Sequence, residues 1–224
     1  MNFRRIERVC RNLKNRFFSS FVVFTLSISL MAVHIVQFYR IKEQIKNAIM
    51  SGKPIFLIGF MGAGKSRTGK RLAKALDLPF LDSDLEIMKN TQRSIEHIFA
   101  EEGEAYFRTL EKEWLLGLGS NSTIVSVGGG FPCFHSNMER MNQMGLTIYL
   151  KLSVEALAER LQQSKTVRPL IEPYKQDEIA LKSFIRAKLD EREVFYNQSH
   201  LTLNGLSLSQ SRLNELMVEI KERL

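Results

Sequence analysis

From Lys53 onward, short solid apolar runs alternate with longer stretches whose apolar residues recur every three or four positions. The short runs, residues 55–59, 79–82, 123–127, 146–152 and 200–203, are rich in Ile, Val, Leu and Phe and predict strands buried on both faces. The longer stretches predict helices over 65–76, 95–118, 154–162 and 177–195, with Leu72, Ala73 and Leu76 sharing one face of the first. Ile95, Ile98, Phe99, Leu110, Trp114 and Leu118 mark the second, where Trp114 is expected in the core. Leu213, Leu216, Met217, Ile220 and Leu224 stripe a final helix. Strands alternating with helices predict an α/β fold, a parallel sheet of about five strands with helices on both faces. On such a sheet ligands bind beyond the carboxyl ends of the strands. Residues from Gly59, the triplet Asp82-Ser83-Asp84 and the run Gly128-Gly129-Gly130 all follow strands, so they are expected at one end of the sheet.

Composition supports a folded body: 44% of the 224 residues are apolar and 25% charged, which excludes a disordered chain. The net charge of +8 is uneven. Residues 1–49 hold nine Lys/Arg against Glu7 and Glu43, so they account for +7 and leave +1 for 50–224. A near-neutral body removes the case for nucleic-acid binding, which needs a basic face on the domain. Cys10 and Cys133 fall one in each part, which suits a reducing compartment, and the four histidines lack zinc-site spacing. The division expected is an N-terminal basic and hydrophobic extension, 1–49, and one catalytic domain, 50–224.

Residues 59–66, Gly-Phe-Met-Gly-Ala-Gly-Lys-Ser, fit G-x-x-x-x-G-K-[ST] between a predicted strand and helix. Glycines there let backbone N–H groups turn in around phosphate oxygens, the lysine sets a cation against the β- and γ-phosphates, and the serine hydroxyl serves magnesium. Gly62, Ala63, Gly64, Lys65, Ser66 and Arg67 are the expected nucleotide-site residues. With no Asn-Lys-x-Asp guanine signature and a body of this size, a P-loop kinase acting on a small molecule is the natural reading.

Further motifs fall in one order. Asp82-Ser83-Asp84, Phe107-Arg108-x-x-Glu111, Gly128-Gly129-Gly130, Arg168-Pro169-Leu170 and Arg192 followed by Tyr196 resemble the motifs of the shikimate kinases, over roughly residues 54–205. The resemblance implies phosphorylation of the 3-hydroxyl of shikimate by ATP with Mg²⁺, a step toward chorismate and the aromatic amino acids. It also implies a mobile lid around Arg168. Lys65, Asp84 and Arg168 are then the expected catalytic residues, with Asp84 holding or deprotonating the attacking hydroxyl. Arg108 and Arg192 would take the acceptor carboxylate, beside Gly128, Gly129 and Gly130. Ser66 and Asp82 would serve the metal, and Arg160 would stack on adenine next to Arg168. Val194, His200 and Arg67 depart from the family pattern.

Bland readings stand beside these: Asp82 or Ser83 as a helix cap, Arg108 in a helix-surface ion pair with Glu104 or Glu111, Arg192 paired with Glu191, and the glycines as a turn. Rival functions are another metabolite kinase, for gluconate or a nucleotide, and a membrane-tethered nucleotide-binding protein without catalysis.

Residues 17–39 carry no formal charge and, if helical, would span about 35 Å, enough to cross a bilayer. Six basic residues precede them, against Arg40, Lys42, Lys46 and Lys53 after them. That bias would export the kinase away from ATP. A targeting segment and an over-extended start before Met50 are the other readings, the last preferred. The extension is therefore expected to be dispensable and the enzyme cytoplasmic and monomeric, touching a membrane only through residues 17–39.

Overall fold

The structure is a computed structural model, and it describes residues 40, 43–164 and 170–204. The chain divides into Met1–Glu43 and Gln44–Leu224, and the architecture below belongs to the second unit. The apolar segment 17–39, the lid residues 165–169 and the expected final helix lie outside the described residues.

Five strands form one parallel sheet: β1 (Ile55–Ile58), β2 (Phe80–Asp82), β3 (Ile124–Ser126), β4 (Leu146–Lys151) and β5 (Leu201–Asn204). Their order is β2-β3-β1-β4-β5. β1 is central and all four of its residues are buried, as a solid Ile-Phe-Leu-Ile run requires. The connections leaving the neighbouring strands β1 and β3 run to opposite sides, so a crevice opens beyond their carboxyl ends. Asp82 pairs in register with Ser126 at the ends of β2 and β3.

Helix α1 includes residues 44–50, with Ile45 and Ala48 buried. Ser122 Oγ donates to the carbonyl of Ile49, so residues just ahead of Met50 are bonded into the body. Helix α2 (Lys65–Leu76) has the predicted bounds. Gly64 starts it from a left-handed conformation, φ 93°, which glycine adopts without strain. Leu72, Ala73 and Leu76 are buried as its periodicity predicts. Helix α3 (Ser83–Thr91) follows β2 directly.

Helix α4 (Ile95–Gly117) is capped by the Ser94 hydroxyl, which accepts from the N–H of His97. It is two helices joined at Gly103, where φ 79° and ψ 175° break the ladder. Sequence periodicity had suggested one mostly continuous helix. Helix α5 (Asn137–Met144), which periodicity did not reveal, buries only Met138 and Met141 among its apolar residues and has no side-chain cap. Helices α6 (Val154–Gln163) and α7 (Glu178–Tyr196) complete the α-helices among the described residues. Asp177 is the cap of α7, accepting from Ile179 and Ala180, and does not begin it. Trp114 is half-buried against a cluster of Ile87, Ile98 and Phe107, and its ring meets Phe131 edge-on at 6.0 Å.

Candidate active site

The loop between β1 and α2 is wound around its own lysine. Lys65 Nζ donates to the carbonyl oxygens of Gly59 (2.9 Å) and Phe60 (3.1 Å), and the residue is buried. A cation held under the loop, backbone N–H groups above it and the positive end of α2 make a site for phosphate. The first turn of α2 carries no acid that would oppose an anion. Arg67 is exposed in that turn. Arg160 reaches across from α6, its Nη1 donating to the carbonyl of Ala63 at 3.3 Å. Lys65, Ser66, Arg67, Asp82, Asp84 and Arg160 share one cleft of about 380 Å³ with Gly128 and Gly129. Arg168, which the sequence assigned to the same cleft, lies outside the described residues.

Ser66 Oγ donates to Asp82 Oδ2 at 2.7 Å and lies 3.3 Å from Ser126 Oγ. Asp82 occupies the cap position of α3 but makes no side-chain cap bond, so the capping reading of this residue is set aside. Ser83 is no cap either. It is fully buried, and its Oγ accepts from the N–H of Gly128 (3.1 Å) and faces Asp84 Oδ1 (3.4 Å). This serine ties β2 to the glycine run, a role hidden in the sequence because the middle of Asp-Ser-Asp looks like ordinary capping chemistry. Burial raises the Asp84 carboxyl above its ordinary value, the charge of Asp82 adds to that, and Lys65 and Arg108 pull it back.

The glycine run is a close approach, not a loose turn. A Cβ on Gly128 would stand 2.8 Å from Asp84 Oδ1, and one on Gly130 would stand 2.6 Å from Arg108 Nη2. A Cβ on Gly129 would meet Arg192 Nη1 at 3.4 Å. Arg108 is in an ion pair, as its spacing allowed, but a buried one and not a surface one, being 8% exposed. Its Nη1 donates to Glu111 Oε2 at 2.9 Å, while Nε and Nη2 both donate to Glu104 Oε1, at 3.0 and 2.6 Å. Glu111 has no exposed surface, and burial pushes its carboxyl up to about 7, against the pull of Arg108. Phe134, which the sequence gave no reason to single out, lies 4.4 Å from the guanidinium. Arg192 is half-buried over the Phe60 ring at 5.6 Å, with Tyr196 one turn later on α7. No ion pair with Glu191 holds it; that glutamate takes Lys188 at 2.8 Å.

The structure thus brings together the described residues expected at the nucleotide and acceptor site. Asp84 shares the cleft with the phosphate loop and feels the charges of both Lys65 and Arg108, while Arg108 and Arg192 approach the glycine run at Gly130 and Gly129. A P-loop cleft with a carboxylate and two guanidiniums beside it suits a small-molecule kinase.

The comparisons agree. The family model described as shikimate kinase matches residues 61–224. A curated shikimate kinase of Parabacteroides distasonis is 42% identical over 154 residues, 68% of this chain and 88% of that one. The crystal structure of shikimate kinase from Bacteroides thetaiotaomicron superposes with a TM-score of 0.68 at 34% identity, covering 76% of this chain and 97% of that one. The Acinetobacter baumannii shikimate kinase in complex with shikimate gives 0.63 at 33% identity, covering 80% and 96%. The chain belongs to the shikimate kinase family.

Proposed function

We propose that this enzyme transfers the γ-phosphoryl group of ATP to the 3-hydroxyl of shikimate, giving shikimate 3-phosphate and ADP. The observation that carries the reading is Asp84, which shares the P-loop cleft with Lys65 while Arg108 stands two residues further along the same glycine run. A hydroxyl held at Asp84 has the phosphate loop on one side and a guanidinium for its carboxylate on the other.

In the proposed step the hydroxyl oxygen forms the new bond to the γ-phosphorus as the bond to the β,γ-bridging oxygen breaks. Asp84 holds the hydroxyl and receives its proton, and its raised basicity suits that task. Lys65 leaves its loop carbonyls for the β- and γ-phosphates. Arg67 and Arg160 flank the nucleotide, and Arg168 supplies positive charge to the transferring group. Arg108 and Arg192 hold the carboxylate. Ser66 and Asp82 fit a hard divalent cation, because both offer oxygen and stand 2.7 Å apart. Mg²⁺ there would supply positive charge that offsets the repulsion between phosphates. The reading puts the enzyme in the cytoplasm, where ATP is supplied, and has it act as a monomer.

ADP release by the purified full chain, coupled to an optical readout, tests the proposal. Release with Mg-ATP should rise steeply on adding shikimate and not on adding gluconate. ATP binding with no response to shikimate refutes it.

A further inference from the structure

Arg108 meets two carboxylates of different kinds. Glu111 is fully enclosed, so its pairing with Nη1 is shielded from water. The Glu104 side chain is 55% exposed and sits immediately after the helix break at Gly103. One of its oxygens takes both Nε and Nη2, the two parallel N–H groups that form the side-on fork for a planar carboxylate. The guanidinium cannot turn to offer a fresh edge. The Phe134 ring lies 4.4 Å away, and Gly130 approaches so closely that a Cβ there would stand 2.6 to 2.9 Å from Nη2, Cζ and Nη1 alike.

We infer that Glu104 is a tethered competitor for the acceptor's carboxylate, holding the Arg108 fork until the acceptor displaces it, and that it thereby sets acceptor affinity. The inference rests on Arg108 receiving that carboxylate. Exchange replaces one charge-assisted pair by another, and Glu104 regains water as it leaves. Only a ligand with its own carboxylate can compensate Arg108 for the loss. A neutral analogue binds beside the intact Glu104 pair and is indifferent to it. Glu104 therefore weakens binding of the carboxylate-bearing acceptor and leaves that of an uncharged look-alike unchanged.

Calorimetric titration of the full chain with shikimate and with its uncharged methyl ester tests this, using Glu104→Gln and Glu104→Asp. Gln removes the charge, whereas Asp keeps the charge but falls one methylene short of the fork. A partly exposed pair predicts shikimate binding about three- to fivefold tighter in both variants, with ester binding and the KM for ATP unchanged. Unaltered or weaker shikimate binding in both variants overturns the inference. So does tightening in Gln alone, which would reflect long-range charge and not occupancy of the fork, and so does equal tightening for the ester. Shikimate binding that survives Arg108→Ala unchanged would remove the carboxylate assignment itself, and the inference with it. A variant that loses ATP binding has lost its fold; the other variant then decides.

Discussion

The hydroxyl of Tyr196 donates to the backbone carbonyl of Gly129, joining the end of α7 to the middle of the glycine run. Tyr196 is fully buried, its ring packs on Tyr149 at 5.0 Å, and burial holds its phenol well above the usual range, so it remains a donor. Arg192 lies one turn earlier on the same helix. Tyr196→Phe leaves a carbonyl without its partner and should cost about 1–3 kcal/mol of stability. It should raise the KM for shikimate more than the KM for ATP, since the bond positions the acceptor side. Urea unfolding and two-substrate kinetics check both halves. Equal KM changes would mean Tyr196 supports the fold alone.

Asp84→Asn keeps the size of the side chain and removes its basicity. Turnover should fall about 10²-fold or more while ATP affinity stays near normal. Steady-state kinetics with nucleotide titration measure it, and turnover within a few-fold of the parent would take Asp84 out of the reaction.

His200 stands where the family pattern has alanine, and the structure gives it work. Its Nδ1 accepts from the N–H of Thr147 (3.2 Å), its own N–H donates to Thr147 Oγ1 (3.0 Å), and that hydroxyl donates to Asn142 Oδ1 (2.6 Å). An accepting Nδ1 must be unprotonated, and burial together with the charge of Lys53 lowers the pKa of the ring. The unfolded chain therefore binds this proton more readily. Stability from His200 is fully present above about pH 6.5 and is lost as pH falls through the lower folded value. Thermal unfolding at pH 5 and pH 7.5 should show a smaller pH effect in His200→Ala than in the parent. An identical pH effect would acquit the histidine.

Helix α1 bears on where the working domain begins. Burial of Ile45 is worth about 1.5–3 kcal/mol, and Ala48 adds less. A chain starting at Met50 should therefore unfold at lower temperature than one starting at Gln44, while both release ADP at similar rates when cool. Matching melting temperatures would show that residues 44–49 contribute nothing. An inactive 44–224 chain beside an active full chain would reverse the view that the extension is dispensable.

Most of the candidate site was legible because its chemistry is consecutive in sequence. The phosphate loop, Asp82 to Asp84 and the three glycines each follow a strand, and the parallel order of the sheet does the rest. Helix α2 was placed to the residue because Gly64 and Asp77 fix both ends in left-handed conformations. The break at Gly103 was not seen, since apolar spacing on either side reads as helix and one glycine carries the whole change. Nor was the burial of Arg108. Its partners Glu104 and Glu111 sit at helical spacing, but Phe134 and Gly130 come from another part of the chain. Helix α5 escaped because methionines at two positions make a thin stripe.

The glycine run is also a ruler. Asp84 presses on Gly128 and Arg108 on Gly130, and two peptide units separate those glycines. Such a stretch of backbone spans at most about 7 Å. A side chain on either glycine would collide with the group it faces, so the interval cannot be lengthened or shortened by a point substitution there. On the proposed reading, that interval also fixes how far apart the acceptor's hydroxyl and carboxylate are held.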